Sequence, residues 1–495
     1  MPSKQTPHDA VAYPSFSHPD THPEHLAAMA ILHGLSPVPA ERCRVLEIAC
    51  NEGGNLIPMA YGLPLSEFVG FDLARLPIER GQARIAALGL ANVRIFEGNI
   101  LDVGTELGQF DYIVAHGFYA WVPEPVRDRM MELLGELLTP DGLAFVSYNA
   151  MPGGHIRAMM REIMLFGSAE GGDAEDRVAG ARERLDLVIQ ARPEGDPFRA
   201  LIEKQLARME KRSAQSIYHD ELTEAYHPTY FTDFAAHAER HGLQFLCEAV
   251  LPPPNDPCYR SELWPALEKA SGGEFLKQEQ LLDFARVRMY RETVLCRAGR
   301  AVRRDLPVEQ LGKLLLASPV ISGPGETAGA REFTLPGGLK TETNHPVVLS
   351  LLDVLEAAWP MPLSFEEIAA RMGSGGFALD GQGATLLVRL AVSKLVEFHT
   401  ARPRVAPEIS ARPRASACSR QEARMRPWAA TLLHTTMGLH DPPVRSLLLL
   451  LDGTRTHREL VEALIAEFPG TAAGEIEAGV KAGLGIFYRA GLLEA

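Results

Sequence analysis

The sequence has few cysteines, and no two of them have the spacing of a metal-binding or redox pair. The six are scattered over 495 residues, at Cys43, Cys50, Cys247, Cys258, Cys296 and Cys418. Cysteine-based zinc sites need close CxxC-type pairs, and disulfide frameworks are typical of short secreted chains. The pattern therefore argues against both, and we expect no metal in this protein.

Long apolar runs are also missing. A bilayer span needs roughly 18 consecutive apolar residues, whereas the most notable run, Leu447–Leu451, is short. The opening stretch MPSKQTPHDAVAYPSF contains neither the apolar core of a signal peptide nor a twin arginine. We therefore expect a cytoplasmic protein that does not associate with a membrane.

The chain has fewer basic than acidic residues. The chain carries 49 Lys and Arg against 63 Asp and Glu, a formal net charge of −14 at pH 7. An acidic surface disfavours binding to phosphate backbones and favours cationic partners. Because acidity also serves solubility alone, the charge only favours a protein substrate with a basic surface over a nucleic acid.

What the sequence does contain is the composition of a globular protein with several cores. Hydrophobic residues make up 46% of the chain, the mean hydropathy is −0.05, and the length calls for two to four domains. We predict an N-terminal cap (1–40), an α/β domain (41–155), a helical insert with a further compact unit (156–300), a linker (301–344) and a C-terminal helical tandem (345–495).

Strand-like and helical segments alternate between residues 45 and 149. Alternation at this spacing is typical of a parallel sheet with helices on both faces. The predicted fold class is therefore α/β, with a Rossmann-like parallel sheet. We predict strands at Val45–Ile48, Phe68–Asp72, Val93–Glu97, Phe110–Ala115 and Leu143–Ser147, and helices at Asn55–Tyr61, Pro77–Leu88 and Val126–Leu138.

The C-terminal third contains a candidate internal repeat. The heptad PVVLSLL at residue 346 is echoed by PVRSLL at residue 443. Two small units of winged-helix type would explain the echo, and chance similarity between Leu-rich helices explains it equally well. Between them, Arg402–Arg426 holds seven arginines and two glutamates, for which we favour a solvated linker over a nucleic-acid site.

The segment Val45–Asn55, VLEIACNEGGN, carries the clearest functional signal. An apolar run reaches an acid, Glu47, passes a turn of small residues and enters a helix. Such a strand, turn and helix hold nucleoside cofactors at the carboxyl edge of a parallel sheet. The dinucleotide pattern GxGxxG is missing, because Ala49 and Asn51 stand where glycines are expected. A second acid, Asp72, ends the next strand where a ribose-binding carboxylate is expected, so the set favours S-adenosylmethionine.

Further cofactor contacts are predicted along the same edge. Gly53 and Ala49 permit close backbone approach, and Asn51 is of a residue type that tolerates positive φ. The third strand runs into Asn99 and Ile100, which suit the amine and the face of an adenine. The complete predicted cofactor set is Glu47, Ala49, Cys50, Asn51, Gly53, Asp72, Leu73, Asn99, Ile100, His116 and Gly117.

These motifs lie in segments that resemble the bacterial class I methyltransferases with a methyltransferase regulatory domain, a family that includes the rickettsial protein-lysine methyltransferases. The resemblance implies a regulatory domain within 156–300, a winged-helix tail, S-adenosylmethionine as cofactor and protein lysine amines as acceptors. The sequence departs from the family at Ala49, at Asn51, and at Gly154-His155, where a bulky aromatic is usual. The similar segments are Thr21–Leu26, Glu47–Met59, Phe110–Pro123, Ser147–Asn149, Pro152-Gly153, Tyr218–Glu248, ARPRASACSRQEA and LLDGTR.

The catalytic candidates follow the fourth and fifth predicted strands. Methyl transfer from a sulfonium is an in-line displacement, and a lysine nucleophile must be neutral. Phe118, Tyr119 and Trp121 would line an aromatic channel that favours the neutral amine and faces the sulfonium by cation–π contact. Tyr148 would hydrogen-bond the amine or, with equal weight, pack on a helix. His116 is a candidate base, although we favour a backbone contact with the cofactor.

Several alternatives stay open. His22 is a weaker candidate for closing over the cofactor, and the spacing of His237 and His241 fits a helix surface as well as a ligand pair. Methylation of a small molecule or an RNA is a second reading of the function. A third is a scaffold protein that binds the cofactor but whose catalysis is weakened by Ala49 and Asn51. A homodimer is compatible with the sequence, which does not fix the oligomeric state.

Overall fold

The computed structural model describes most of the chain. The predicted N-terminal cap is described only from residue 11, and Cys258 lies outside the described residues. The described ranges are 11–167, 173–223, 225–251, 263–304, 308–327, 329–373 and 377–494.

A seven-stranded sheet forms the centre of the protein. Its strands are β1 (Arg44–Ile48), β2 (Glu67–Asp72), β3 (Val93–Glu97), β4 (Phe110–Ala115), β5 (Leu138–Asn149), β6 (Leu243–Glu248) and β7 (Tyr290–Arg297). Strands β1 to β5 are parallel, whereas β7 pairs antiparallel with both β5 and β6. The order across the sheet is β3-β2-β1-β4-β5-β7-β6. The five predicted strands are all present, and the fifth is longer than predicted.

The strand order reverses beside β1, which pairs with β2 on one side and β4 on the other. A reversal of this kind opens a crevice at the carboxyl ends of the strands, where α/β proteins bind their ligands. The turn that follows β1 lies at this crevice, so the fold places the predicted cofactor segment where a ligand site is expected.

Helices cover both faces of the sheet. They include α1 (Pro23–Leu32), α2 (Leu56–Gly62), α3 (Arg75–Leu88) and α4 (Glu124–Leu137). Successive residues of β1 face opposite cores: Val45 belongs to one and Leu46 to the other, and both are fully buried. Burial on both faces explains why the strands read as nearly continuous apolar runs.

A helical unit follows β5. Its helices α5 (Gly154–Leu165), α6 (Ala174–Gln190), α7 (Pro197–Met209) and α8 (Ala214–Glu221) enclose a separate small core. Met164, Leu185 and Ile202 are fully buried in it. Next come α9 (Phe231–Arg240), α10 (Trp264–Ser271) and α11 (Phe275–Arg286).

The central sheet crosses the domain boundary that we predicted at residue 155. Strands β6 and β7 come from the 156–300 segment, yet they complete the sheet beside β5, with Val146 opposite Thr293. Leu246 and Val294 are fully buried in the sheet's own core. The compact unit expected at 216–300 is therefore continuous with the α/β domain.

Two further units form the C-terminal third. The first contains a helix α12 (Val308–Leu311), strands β8 (Leu315–Ala317), β9 (Ile321–Pro324), β10 (Arg331–Thr334), β11 (Lys340–Thr343) and β12 (Glu397–His399), and helices α13 (Pro346–Ala358), α14 (Phe365–Met372) and α15 (Gly381–Val392). The second contains α16 (Ala417–Met425), β13 (Trp428–Ala430), β14 (Thr436–Gly438), α17 (Pro442–Leu450), α18 (His457–Glu467) and α19 (Ala473–Arg489). Because β8 pairs with β12, the segment predicted as a linker is largely part of the first unit.

The Arg402–Arg426 stretch is not the solvated linker that we predicted. Arg426 is buried and lies 3.0 Å from a carboxylate oxygen of Glu52. Glu422 forms a buried ion pair with Arg84 at 2.6 Å. These pairs dock the second C-terminal unit on the α/β domain. In the described part of the chain, no helix combines the length and apolar character needed to cross a membrane.

Candidate functional site

The turn after β1 adopts a left-handed backbone at three positions. Ala49, Asn51 and Gly53 have φ values of 58°, 50° and 71°. Asn and Gly adopt this region readily, whereas the methyl of alanine makes it costly by roughly 1–2 kcal/mol. The Asp72 carboxylate stabilises the turn, because its Oδ2 accepts a hydrogen bond from the Asn51 N–H at 2.8 Å. The two predicted signals, small turn and strand-end acid, are thus in direct contact.

A buried polar network lies behind the turn. The Nδ2 group of Asn55 donates to Glu47 Oε1 at 2.8 Å. Burial raises the pKa of Glu47 to about 8, and the nearby Asp72 charge adds to the rise. Among the described residues, Glu47 Oε2 and Asn51 Oδ1 have no hydrogen-bond partner. One unpaired oxygen in the turn and one behind it are therefore available to a ligand.

The next edge of the crevice combines Asp72 with exposed apolar groups. Leu73 and Leu101 are 57% and 51% exposed. Asn99 Oδ1 accepts from the Leu101 N–H at 3.1 Å. Ile100 is buried in the core, so Leu73 and Leu101 offer the open apolar surface that we predicted at Ile100.

A wall of uncharged histidines closes the crevice beside β4. The ring of His18 stacks on that of His116 with centroids 3.9 Å apart. Burial lowers the pKa of His116 to about 3, with a smaller contribution from His18. Burial also lowers the pKa of His18. At neutral pH both rings are neutral, so neither repels a cationic ligand.

The segment 11–22, which we call the N-terminal strap, covers the turn. The Gly54 N–H donates to Ser15 Oγ at 3.1 Å, and the His18 N–H donates to Asn55 Oδ1 at 2.9 Å. His22 accepts from the Glu24 N–H at 3.3 Å, capping α1, and lies beside His434 with ring centroids 5.0 Å apart. Ser15 and His18 were not predicted as site residues, because no pattern in the sequence shows that the Pro- and His-rich N-terminal segment packs against the turn.

Tyr119 and Tyr148 point into the core rather than into a channel. Tyr119 is 3% exposed, and its hydroxyl lies 2.9 Å from His237 Nδ1. Tyr148 is 1% exposed and stacks on Phe234 with centroids 4.1 Å apart. The packing role that we weighed for Tyr148 fits this geometry, and the channel role predicted for Tyr119 does not.

Trp121 connects the loop after β4 to the helical unit. Its ring lies under the guanidinium groups of Arg157 and Arg161, at 5.0 and 5.3 Å, and beside Tyr226 at 5.3 Å. Cation–π contacts of this kind contribute about 0.5–2 kcal/mol each. The ring is therefore already paired with arginines, and it positions the unit instead of lining the predicted channel.

Two polar side chains at the crevice, those of Ser147 and Tyr290, were not predicted. The Gly117 N–H donates to Ser147 Oγ at 2.7 Å, which fixes the loop that follows β4. Tyr290 begins β7 opposite Asn149, is 38% exposed, and places its hydroxyl 3.5 Å from His116 Nε2. Burial of the phenol raises the pKa of Tyr290. Because β7 is antiparallel, its first residue lies at the carboxyl edge of β5, a placement that only the assembled sheet reveals.

Comparison with protein families identifies three segments of the chain. Residues 45–142 match the family described as "Methyltransferase domain", and residues 213–297 match "Predicted methyltransferase regulatory domain". Residues 411–478 match "PKMT, C-terminal winged helix domain". The winged-helix prediction is thereby confirmed for the second C-terminal unit.

Relatives extend the likeness to nearly the whole chain. The Rickettsia prowazekii protein RP789 is 26% identical over 478 residues, which cover 93% of this chain and 85% of that protein. RP028 of the same organism is 33% identical over 240 residues, 48% of this chain and 96% of RP028. The structure of PKMT2 from Rickettsia typhi in complex with AdoHcy superposes with a TM-score of 0.87 at 25% identity, covering 97% of this chain and 99% of PKMT2.

The fold class predicted from the sequence is confirmed by this match, which includes the sheet, the helical unit and both C-terminal units. The three matched segments occur in the order that the sequence resemblance implied. The chain belongs to the bacterial class I S-adenosylmethionine-dependent methyltransferases that carry a methyltransferase regulatory domain, the family of its rickettsial relatives.

Proposed function

We propose that this protein transfers the methyl group of S-adenosylmethionine to lysine amines of proteins. The observation that carries the proposal is the likeness to PKMT2, a protein-lysine methyltransferase by its name, over 97% of this chain. The likeness extends beyond the five parallel strands and the turn to the helical unit and both C-terminal units.

The residues of the turn suit the amino-acid part of the cofactor. Its ammonium group needs acceptors. Asn51 Oδ1 is a buried acceptor without a partner in the described structure, and Glu47 Oε2 becomes a second one when the carboxyl loses its proton. The left-handed turn brings backbone close to a ligand. We therefore assign Glu47, Asn51 and Gly53, with the intervening backbone of Ala49 and Cys50, to this part of the cofactor.

The neighbouring edge suits the nucleoside. Both oxygens of Asp72 accept backbone N–H groups, at 2.8 Å from Asn51 and 2.8 Å from Ala74. Asp72 ends β2 at the carboxyl edge of the sheet, where a ribose-binding carboxylate is expected. The open faces of Leu73 and Leu101 suit the adenine plane, with Asn99 beside them.

The cofactor supplies an activated methyl group on a sulfonium, and the protein must present a neutral amine to it. A lysine amine has a pKa near 10.4 in water, which burial beside uncharged groups lowers. His18 and His116 are such groups, since burial keeps both neutral.

We assign the orientation of the amine to Tyr290. Its hydroxyl lies next to His116, at 3.5 Å from Nε2, and also contacts Ser147. Accepting an amine N–H there would direct the nitrogen lone pair toward the cofactor side of the crevice. Holding nucleophile and electrophile in line is the main source of catalysis available to such a site.

The substrate that we propose has a basic surface. Asp20 of the N-terminal strap and Glu292 of β7, the strand that begins with Tyr290, interact electrostatically with each other. Burial raises the pKa of Glu292 to about 7, so this carboxyl gains charge as a cation approaches. The net charge of −14 favours the same partner. We place this activity in the cytoplasm.

Transfer of tritiated methyl groups to the proteins of a cell lysate tests the proposal. We expect label in protein bands, and methylated lysine after acid hydrolysis of those bands. A second lysate whose lysines have been blocked by propionylation is the matched control and should take up no label. Label confined to RNA or to the small-molecule fraction, or cofactor binding without transfer to any fraction, would contradict the proposal in favour of the alternatives.

A further inference from the structure

Three ligand-type side chains meet between α4 and α9, on the far side of Tyr119 from the crevice. Asp128 belongs to α4, His237 lies in α9, and His241 follows the end of α9. One ligand atom from each lies within 4.8 Å of the other two. The spacing of the two histidines alone is also explained by a helix surface. The fold adds the Asp128 carboxylate from a second helix.

His237 is the central group. It is 6% exposed, and its Nε2 lies 2.7 Å from Asp128 Oδ1. Apart from this contact with Asp128, Nε2 has no hydrogen-bond partner among the described residues. A buried ring nitrogen that points at a carboxylate and a second imidazole is the arrangement expected around a cation.

The other ring nitrogen of His237, Nδ1, has a hydrogen-bond partner in the core. It lies 2.9 Å from the hydroxyl of buried Tyr119. When Nδ1–H donates to that oxygen, the lone pair of Nε2 points outward toward Asp128. Metal-binding histidines commonly have the second ring nitrogen fixed in this way, which sets the tautomer and the ring orientation.

The packing fixes the distance between the two helices. Gly135 of α4 lies against the His241 carbonyl so closely that no Cβ would fit between them. A surface hollow of about 540 Å³ opens next to the cluster, lined by Pro125, Asp128, Arg129, Glu132, Arg240 and His241. It provides access from solvent and room for a water ligand.

The charges around the hollow allow a divalent cation. Arg129 is already paired with Glu132 at 2.5 Å and Glu136 at 3.3 Å. Arg127 lies over the Tyr119 ring at 5.6 Å, and Arg240 lines the hollow. Asp128, with 56% of its side chain exposed, is free to adjust its distance from His237.

We infer that Asp128, His237 and His241 form a binding site for a divalent transition metal of the Zn²⁺ type, linking α4 to α9. Two imidazoles and one carboxylate match the ligand preference of Zn²⁺, with water as the fourth ligand. Through Tyr119, three residues after His116, the metal would also fix the loop that follows β4. The site is separate from the methyl-transfer crevice, and the inference does not depend on the proposed function.

Titration of the chelator-treated full-length protein with ZnCl₂ tests the inference by calorimetry, and CoCl₂ adds a spectroscopic test. We expect one metal per chain and the visible absorption of tetrahedral Co²⁺. His241→Ala and Asp128→Asn change exposed or half-buried groups and leave the core intact. Each should weaken Zn²⁺ binding by on the order of 10-fold or more. His345→Ala, an exposed histidine elsewhere, is the matched control and should bind as the wild type does.

Thermal unfolding gives a second readout. Zn²⁺ should raise the melting temperature of the wild type and of His345→Ala, and not that of His241→Ala, because only a ligand that binds the folded state stabilises it. Tyr119→Phe tests the positioning role: it keeps the three ligands and should weaken binding by roughly 10-fold. Absence of Zn²⁺ binding, or equal affinity in the wild type, His241→Ala and Asp128→Asn, would overturn the inference.

Discussion

His434 of the second C-terminal unit hydrogen-bonds Asn55 behind the cofactor turn, with Nε2 2.8 Å from Oδ1 across 379 residues of sequence. Burial holds the pKa of His434 well below its usual range, so the ring is a neutral donor. Asn55 in turn donates to Glu47. The C-terminal unit is thus part of the support of the turn.

Removing this donor should weaken cofactor binding from a distance. In His434→Ala, Asn55 Oδ1 keeps the His18 N–H but loses a buried partner, a loss of about 1–3 kcal/mol. We expect a lower free energy of unfolding and a higher Kd for S-adenosylmethionine, measured by urea denaturation and calorimetry. His440→Ala, exposed a few residues further on, is the control. Equal Kd values for the three proteins would show that His434 does not support the turn.

Cofactor binding should release a proton from Glu47. With a pKa of about 8 this carboxyl is largely protonated at pH 7, and an ammonium group placed against Oε2 favours the charged form. Calorimetry in two buffers of different ionisation enthalpy should give a release of nearly one proton per cofactor. Glu47→Gln should still bind but release none. A wild-type binding enthalpy that is the same in both buffers would exclude the contact.

Tyr290→Phe should lower kcat with little change in the Kd for the cofactor. Loss of one orienting hydrogen bond of about 1.5 kcal/mol corresponds to roughly 10-fold in rate. Single-turnover methyl transfer and calorimetry measure the two quantities separately. Tyr488→Phe removes a hydroxyl that donates to the Pro407 carbonyl, far from the crevice, and serves as control. A larger loss of kcat in Tyr148→Phe than in Tyr290→Phe would reverse our assignment of the two tyrosines.

Acid should destabilise the protein below pH 6.5 through its buried histidines. Burial lowers the pKa of His22 from 6.5 to about 4 and that of His116 to about 3. Below pH 6.5 these rings bind protons in the unfolded chain but not in the folded protein. The free energy of unfolding therefore falls as the pH falls, by about 1.4 kcal/mol per pH unit for each ring. Urea midpoints between pH 7.5 and 5 measure this slope. His22→Gln should reduce it, and an unchanged slope would mean that His22 titrates normally.

The turn, the acid after β2 and the fold class could be predicted because their signals are local. The residues Val45–Gly53 carry both the strand and the turn, and Asp72 ends the next strand. Ala49 and Asn51 adopt the left-handed φ values of this turn, although both stand where glycines are expected. The Asp72 carboxylate accepts the Asn51 N–H and so contributes to the unusual backbone.

Other parts of the site depend on contacts distant in sequence. Tyr290 reaches the crevice only because β7 enters the sheet antiparallel, and His18 only because the N-terminal strap folds back over the turn. Aromatic residues give no sign in sequence of which way they face, so Tyr119 and Trp121 were assigned to a channel. In the structure Tyr119 packs in the core, and Trp121 contacts arginines of the helical unit.

Calorimetric titration with S-adenosylmethionine and S-adenosylhomocysteine, comparing the wild type with Asp72→Ala, tests most directly whether this turn is a working cofactor site. Asp72 holds the turn and is the residue that we assign to the ribose, so we expect micromolar binding of both ligands by the wild type. Asp72→Ala should show none while keeping a wild-type circular dichroism spectrum. Failure of the wild type to bind either ligand, or equal affinity in the folded Asp72→Ala variant, would contradict the assignment of the turn and of the methyl-transfer site built on it.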